Sequence, residues 1–366
     1  MRKIKSKKSV VIGMSGGIDS SVAAYLLQQQ GYTVYGVSLS LFPNTPHQSN
    51  THLHTTGTDT AIESAQCVCN YLNIPFEIIH CETAFNNTII QYFLNEYEHA
   101  RTPNPCVLCN HFIKMHFLIR YADNMGIDYI ATGHYARKRW NRFHHCWELL
   151  RGNDDHKDQS YFLSRLTQTD LSRILFPNGI YTKNKLTTIA RNISLPTYNR
   201  PESQEICFIP SNNYRNFILS HNTQHNKKGN FIDKNGSILG THNGLSFYTI
   251  GQRRGIGLSL GYPVYVTKLD KKNNTITLGH EEEAKSISCS VNHFHLVSRI
   301  SIPNIFYGLV KIRSQHIRTR AKITVIDTSH ADILFKTKQL AVTPGQQLVI
   351  YKKNTVIASG VINSTK

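Results

Sequence analysis

Gly13-Met14-Ser15-Gly16-Gly17-Ile18-Asp19-Ser20-Ser21 is the stretch on which the reading of this chain turns. Val10, Val11 and Ile12 precede it as a short apolar run of strand type, and Val22, Ala23, Leu26 and Leu27 follow at helical spacing until Gly31 supplies a stop. The glycines therefore fall at a strand-to-helix turn. Without a Cβ at Gly16 and Gly17 the backbone can approach a ligand closely, and the open N–H groups and positive dipole end of the next helix favour phosphate. A nucleotide is the expected guest. No Lys follows the glycines, which excludes a Walker loop, and their adjacency excludes the dinucleotide fingerprint. An ordinary Gly-rich turn would not need Ser15, the Gly pair, Asp19 and Ser20-Ser21 all in register between strand and helix.

At 366 residues the chain is too long for one small core, so two or three domains are expected. Hydrophobic residues make up 40%, enough for globular packing, and no apolar run approaches the length of a bilayer span. A soluble, cytoplasmic protein with no membrane partner follows, and the basic segment Met1 to Lys8 reads as a solvated tail rather than a signal peptide. Lys and Arg number 41 against 23 Asp and Glu, a net charge of +18 that points to a polyanionic partner once those residues share a face. The eight cysteines (Cys67, Cys69, Cys81, Cys106, Cys109, Cys146, Cys207, Cys289) are too sparse for a disulfide scaffold. A reducing compartment is expected, in which any disulfide is catalytic or transient.

Along the chain, Val34 to Leu41 reads as a second strand with Val37, Leu39 and Leu41 on one face and Ser38 and Ser40 on the other. The polar segment Pro43 to Thr58 carries His47, His52 and His54 but no Cys or carboxylate cluster, and reads as a solvated loop rather than a metal site. Ala61, Ile62, Ala65, Val68, Cys69 and Leu72 form a helical stripe with Cys69 as a small apolar residue, Phe76 to His80 a third strand, and Thr83 to His99 another amphipathic helix. Asp128 to Thr132 is a further strand, ending in Gly133-His134-Tyr135. Alternation of strand and helix predicts a parallel sheet covered on both faces, with its ligand at the carboxyl ends of the strands.

Arg101-Thr102-Pro103-Asn104-Pro105-Cys106-Val107-Leu108-Cys109-Asn110 carries two prolines that hold it as a loop, with a helical pattern of Ile113, Phe117 and Tyr121 right after it. Cys109 is then expected near a helix N-terminus, where a thiol pKa falls. Cys-x-x-Cys is also half of a zinc site, but no second matching pair follows, and Cys67-x-Cys69 is too tight. An iron–sulfur cluster on Cys106, Cys109 and Cys207 is a sharper rival. His134 at a strand's carboxyl end is placed to meet substrate. The polar cluster Gly152 to Gln159 precedes the apolar Tyr161-Phe162-Leu163, with Asp158 or Ser160 as a candidate cap.

Ser-Gly-Gly-Ile-Asp-Ser resembles the pyrophosphate-binding loop of ATP-pyrophosphatase-type enzymes, which cut ATP between its α and β phosphates and adenylate a substrate oxygen. That loop, Thr102-Pro-Asn-Pro-Cys-Val-Leu-Cys-Asn110, Ala131-Thr-Gly-His-Tyr135, Lys157-Asp-Gln-Ser-Tyr-Phe-Leu163, Ser203-Gln-Glu-Ile-Cys-Phe-Ile209, Ile250-Gly-Gln-Arg-Arg-Gly255 and Val342-Thr-Pro-Gly-Gln346 occur in the order seen in the tRNA-specific 2-thiouridylase family. The resemblance spans nearly the whole chain. It implies a nucleotide domain of adenine-nucleotide alpha-hydrolase type over residues 1–212, a central β-rich linking domain over 213–280 and a C-terminal β-barrel over 281–366.

The resemblance also implies that ATP, with Mg2+, adenylates the C2 oxygen of the wobble uridine of tRNA. Cys207, loaded as a persulfide by a sulfur-donor protein, then supplies sulfur. Cys109 acts as the nucleophile that ends in a disulfide with it, Asp19 serves catalysis from the loop, and no resident metal site is implied. Gly13, Met14, Ser15, Gly16, Gly17, Ile18, Asp19, Ser20, Leu39 and Gly133 would contact ATP, Leu39 replacing a frequent Met. Asn104, Pro105 and Cys106 would lie against the target base, and His134, Lys157, Asp158, Gln159, Arg313, Ser314 and Gln346 would meet the tRNA. Cys106 stands where some members have Asp, which removes an acid–base group, and Ser314 where some have an aromatic, which removes a stacking contact.

Beyond Cys207 helical periodicity is absent. Lys234-Asn235-Gly236, Asn243-Gly244 and Lys271-Lys272-Asn273-Asn274 read as hairpin turns. Val310 to Arg313, Ala321 to Ile326, Ile333 to Lys336, Leu348 to Tyr351 and Val356 to Ile362 read as barrel strands, with Lys311, Arg313, Arg318, Arg320 and Lys322 as a basic stripe for RNA backbone. Two other readings differ in class. A ligase or tRNA-adenylating enzyme with the same loop would survive thiol alkylation, and a non-catalytic RNA-binding protein would release no AMP.

Overall fold

The computed structural model describes residues 8–43, 58–199, 206–209, 213–221, 227–298 and 302–365. The basic tail through Lys7, His47, His52 and His54 of the polar loop, and Ser203, Gln204 and Glu205 beside Cys207 lie outside the described residues.

The first seven strands are β1 (Ser9–Gly13), β2 (Thr33–Ser40), β3 (Phe76–His80), β4 (Tyr129–Ala131), β5 (Ala136–Asn141), β6 (Cys146–Arg151) and β7 (Ile174–Leu175). Five of them form an all-parallel sheet in the order β3-β2-β1-β4-β7. Val10, Val11 and Ile12 have no exposed surface, as a central strand covered on both faces requires. Val22, Ala23 and Leu27 of helix Ile18–Gln29 cover one face together with Leu186 and Ala190 of helix Lys183–Asn192. Met115, Leu118 and Ala122 cover the other. Ser38 and Ser40 are therefore buried too: no face of β2 is solvated, and the Ser38 hydroxyl donates to the Met14 carbonyl at 2.6 Å. The chain runs outward from β1 through β2 to β3, then returns to β4 on the other side of β1. That reversal sets the segments after β1 and β4 side by side at the carboxyl edge.

The prolines do not hold 101–110 as a loop. Pro105 is the first residue of a helix running through Pro105–Leu108, a π-helical stretch Cys109–Met115 and His116–Asn124. A proline at this position loses no hydrogen bond, because the first N–H groups of a helix have no partner within it. Cys109 consequently sits a full turn inside the helix, and Cys106 occupies its first turn.

β8 (Gly229–Ile232), β9 (Ile238–His242), β10 (Tyr265–Asp270) and β11 (Thr275–Gly279) form a second sheet, β10-β11-β8-β9. Its two hairpins turn at Lys234 to Gly236 and Lys271 to Asn274, as expected. Asn243-Gly244 leads instead into a short 3-10 turn, Leu245–Phe247. A helix, Tyr214–His221, also stands where none was read. Eight residues are too few for a period to show, and packing of Phe217 against Phe93 and Phe208 holds it in place.

β12 (Lys285–Leu296), β13 (Ile305–Lys311), β14 (Thr319–Val325), β15 (Ala331–Leu340), β16 (Gln347–Lys352) and β17 (Thr355–Thr365) close into a six-stranded barrel, since β17 returns to pair with β12. The strand expected at Val310 to Arg313 begins five residues earlier and ends at Lys311. β17 also branches. Its first residues, Thr355 and Val356, pair with Leu150 and Leu149 of β6, so the β5–β6 hairpin continues the barrel's sheet. Leu149 and Tyr161 share one buried cluster with Val349, Tyr351 and Val356. The nucleotide-binding half and the barrel are thus joined through a common sheet and a common core.

Candidate active site

The loop after β1 is tied down by its own residues. The Met14 N–H donates to the Val37 carbonyl at 2.7 Å, and the Ser15 N–H to the Ser20 hydroxyl at 3.2 Å. The Ser20 and Ser21 hydroxyls both donate to the Gly17 carbonyl, at 3.1 and 2.8 Å. Gly16 has φ 69°, a left-handed conformation open to glycine at little cost. Gly17 caps helix Ile18–Gln29 without any side-chain hydrogen bond to the first turn, which leaves that helix end to a ligand. Gly133 fits for a different reason. A Cβ there would lie 2.7 Å from the Asp19 carbonyl carbon and the Ser20 nitrogen, so the end of β4 touches the loop only because position 133 is bare. Leu39 lies two residues past Val37 on the adjoining strand.

Asp19 is the loop's one acid. Its Oδ1 accepts from the Tyr135 hydroxyl and the Lys183 ammonium, each at 2.7 Å. Asn178 donates to the carbonyls of Asp19 and Gly133 at 2.8 and 2.9 Å, bolting the two segments together. Lys183 begins the helix capped by Thr182, and its backbone N–H donates to Asp154 at 2.9 Å. Sequence reading missed Tyr135, Asn178 and Lys183. The signal was available only in part, as a Lys in the first turn of a helix, and its distance from Asp19 in sequence hid the pairing.

Cys106 and Cys109 lie within electrostatic reach of Cys207, and Cys109 packs in one buried cluster with Cys81 and Phe208. Phe208 is clamped edge-on by Phe85 and Phe93, which fixes the chain beside Cys207. All three cysteines are free thiols. Burial pushes Cys109 up to about 12, the charge of Lys114 pulling against it and that of Cys207 adding to it. Cys106 is pushed up to about 11 by the same causes. The Cys207 thiol is raised by desolvation as well, although the residue reaches the surface. Expectation is overturned here: Cys109 is not at a helix end and is not a depressed thiol. Among the described residues Lys114, missed in the sequence, is the cation that favours all three thiolates. The π-helical stretch explains its reach, since a residue five positions on returns to nearly the same side of a π turn and would point away in an α turn. Among the described residues no three His, Cys, Asp or Glu side chains gather as ligands for a metal ion.

His134 stands between the two regions. Its Nδ1 is 2.8 Å from the Thr132 hydroxyl, and burial, then the charge of Lys114, push it down to about 3, so it is a neutral imidazole. Several residues assigned to tRNA are already engaged. The Asp158 carboxylate accepts from Arg151 Nε at 2.8 Å, Gly152 N at 3.2 Å and Ser160 N at 3.1 Å. Gln159 accepts from the Tyr135 N–H at 2.9 Å. The Gln346 amide donates to the carbonyls of Thr102 and Pro103 at 3.1 and 3.0 Å, and Asn104 donates to the Tyr161 hydroxyl at 3.3 Å. Gly345, at φ 93°, passes so close that a Cβ would be 2.7 Å from the Thr102 carbonyl oxygen. The barrel therefore grips the segment that enters the cysteine helix. Pro105 is buried at the helix start, Arg313 is exposed with one bond to the Leu340 carbonyl, and Lys157 and Ser314 are partly exposed. Among the described residues no helix is long and apolar enough to cross a membrane.

Comparison with known proteins follows this architecture. Residues 8–211 match the family model of the tRNA methyl transferase HUP domain, 215–280 that of the tRNA methyl transferase PRC-barrel domain, and 286–362 that of the aminomethyltransferase beta-barrel domain. The chain is 40% identical over 361 residues to the tRNA-specific 2-thiouridylase MnmA of Clostridium perfringens, covering 98% of this chain and 99% of that one. It is 41% identical over 362 residues to its counterpart in Desulforamulus reducens, covering 98% of each. Among solved structures, a 4-thiouridine synthetase–RNA complex with bound ATP aligns at 14% identity and a TM-score of 0.34, over 58% of this chain and 50% of that one.

Proposed function

The chain belongs to the tRNA-specific 2-thiouridylase family, and from that premise we propose that it converts the wobble uridine of tRNA to 2-thiouridine, releasing AMP and diphosphate. The observation that carries this reading is one helix. Its first half bears Cys106, Cys109 and Lys114 beside Cys207, while Leu118 in its second half packs under Gly13 at the base of the nucleotide loop. Activation and sulfur transfer are thereby held in one frame. The family models are described by methyl and aminomethyl transfer; two cysteines within electrostatic reach of a third, in a chain whose full-length relatives are 2-thiouridylases, favour sulfur.

In this reading Gly13 to Ser20, Leu39 and Gly133 hold ATP, and Lys183 offsets charge at the phosphates. Mg2+ fits Asp19, whose contacts both fall on Oδ1, because that ion is held by one or two carboxylates together with substrate phosphates; bound there it would offset charge on the departing diphosphate. The uridine C2 oxygen attacks the α-phosphorus and diphosphate leaves. The outer sulfur of a Cys207 persulfide, loaded by a sulfur-donor protein, attacks C2 and displaces AMP. Cys109 then attacks the Cys207 sulfur, forming a disulfide and leaving the outer sulfur on the base. A reducing thiol in the cytoplasm resets the pair. Support for Cys109 over Cys106 comes from the family pattern, not from the helix end. Asn104, Pro105 and Cys106 face the base, and His134, Lys157 to Gln159, Arg313, Ser314 and Gln346 form or position the tRNA surface across units 1–212, 213–280 and 281–366.

The test is to incubate the chain with ATP, a persulfide donor and unmodified tRNA, then identify the nucleosides by mass spectrometry and quantify AMP. 2-Thiouridine with equimolar AMP is expected. AMP without thiolation would favour an adenylating enzyme, and neither AMP release nor thiolation would overturn the reading in favour of a non-catalytic RNA-binding protein.

A further inference from the structure

The acid of the nucleotide loop is placed from outside the loop. Asp19 Oδ1 accepts from the Tyr135 hydroxyl and the Lys183 ammonium, each at 2.7 Å, donors that stand 116 and 164 positions away in sequence. The two are not equivalent. Lys183 reaches Asp19 with a point charge on a flexible four-carbon stem. Tyr135 presents its hydroxyl on a rigid ring that is 2% exposed and packs in one buried cluster with Ile12, Val22 and Ala131. Its backbone is pinned as well. The Tyr135 N–H donates to Gln159 Oε1 at 2.9 Å, its carbonyl accepts from the Gln159 N–H at 3.0 Å, and a Cβ on Gly152 would lie 2.7 Å from that carbonyl oxygen.

The place of the hydroxyl is therefore set by ring packing and by the backbone, independently of Asp19. The carboxylate has no such support of its own. Its side chain is 35% exposed, and the hydrogen bonds that tie down the loop run between Ser15, Gly17, Ser20 and Ser21 and bypass it. A buried phenol needs an acceptor, and any backbone carbonyl would serve stability alone. A carboxylate acceptor gains something more, because a charge-assisted bond from a fixed donor also fixes its rotation.

We propose that Tyr135 is a positioning residue for the Mg2+ that accompanies ATP: its hydroxyl holds the Asp19 carboxylate in the rotation from which that ion is taken. The inference rests on the function proposed above and adds to it a group that acts through Asp19. Its sign is open to test. A hydroxyl that merely drew charge from the carboxylate would weaken it as a ligand, so removing that hydroxyl would tighten the ion. A hydroxyl that fixes rotation does the opposite, since losing a group that orients a metal's ligand costs about 10- to 100-fold in metal affinity.

The experiment compares the full chain with Tyr135→Phe, which keeps the ring and its packing, and with Tyr129→Phe, which removes a phenol hydroxyl elsewhere on β4. Thermal melts without ligand establish that each folds. Mg2+ is then titrated at a saturating concentration of an ATP analogue with a methylene bridge between its α and β phosphates, and the rise in melting temperature gives the half-effective Mg2+ concentration. That concentration should rise about 10-fold in Tyr135→Phe and stay at the wild-type value in Tyr129→Phe. In an Asp19→Asn background, adding Tyr135→Phe should move it by less than about twofold, because the carboxylate through which the hydroxyl acts is gone. AMP formation with tRNA should follow the same split, about 10-fold lower in Tyr135→Phe at limiting Mg2+ and near wild type at excess. An unchanged or lower half-effective concentration in Tyr135→Phe would overturn the positioning role, even with a lowered melting temperature, which would leave Tyr135 a core residue only. An equal rise in Tyr129→Phe, or a rise that persists beside Asp19→Asn, would overturn it too. Should Mg2+ and the analogue fail to stabilise the wild-type chain, the nucleotide reading itself falls and the positioning role with it.

Discussion

The nucleotide loop and the thiol pocket share the carboxyl edge of one sheet and are prepared in opposite ways. The loop is complete on folding. Its serines, glycines and Asp19 are contiguous, its hydrogen bonds are local, and its open helix end points at the place a phosphate would take. The thiol pocket is assembled from one helix and a distant segment, and it folds inert. With Cys109 pushed up to about 12 by burial, its thiolate fraction at pH 7 is on the order of 10⁻⁵. In the proposed mechanism ATP would meet a loop that is already formed, whereas sulfur transfer would wait for a persulfide and an activated base.

The largest test of this contrast separates the two regions outright. Cys207→Ser and Cys109→Ser should each end thiolation while ATP- and tRNA-dependent AMP release persists within about twofold, and Cys106→Ser should retain some thiolation. Alkylation-quenched single turnover, digestion without reductant and peptide mass mapping should find a Cys109–Cys207 link. A Cys106–Cys207 link that persists with thiolation in Cys109→Ser would reassign the nucleophile.

Asp19→Ala should do the reverse, lowering AMP formation by about 10³-fold. Its side chain is 35% exposed, so stability should change by about 1 kcal/mol or less, as read by denaturant melts. Near-normal AMP formation in that variant would remove the loop's acid from the chemistry.

Thiol reactivity offers a smaller and sharper test. Because both thiol pKa values are raised above the working range, alkylation of Cys106 and Cys109 should climb about tenfold per pH unit from pH 7 to 9 without levelling. Lys114→Met removes the cation that favours the thiolates and should slow alkylation several-fold at pH 8. Cys207, favoured by the same cation, should slow in parallel. His134 is pushed down to about 3 and should contribute no inflection near pH 6.5. A plateau below pH 8 would mean that the pocket is armed in the resting protein. The smallest effect is expected for Arg313→Ala, which should flatten the salt slope of tRNA binding by about 0.7 to 0.9 and leave AMP formation at saturating tRNA intact.

Much was legible because it is local. A strand, a glycine turn and a helix in succession specify a phosphate loop wherever they occur, and period-2 and helical patterns located most of the sheet and several barrel strands within a few residues. The β5–β6 hairpin escaped because its charged residues, Arg137, Lys138 and Arg139, mask alternation until Glu148 pairs with Arg139 across the strands at 2.6 Å. β12 escaped too, although its pairing with both β15 and β17 is what closes the barrel. The prolines of 103–105 read as breakers because sequence alone does not say that Pro105 falls at a helix's first position, where its missing N–H does no harm.

Sequence by itself determined the nucleotide loop, the parallel sheet behind it and the family pattern, since each follows from residues close together whose preferences agree. Only the tertiary structure decided the state of the chemistry. It buried Cys109 inside a helix instead of at its end, set Lys114 beside the thiols by a π-helical stretch, and brought Lys183 to Asp19. It also set Arg151, Lys311 and Arg318 around one cavity at the seam with the barrel, together with Asp155 and Asp158. These are matters of desolvation and of charges meeting from distant segments, and neither quantity exists until the chain has packed.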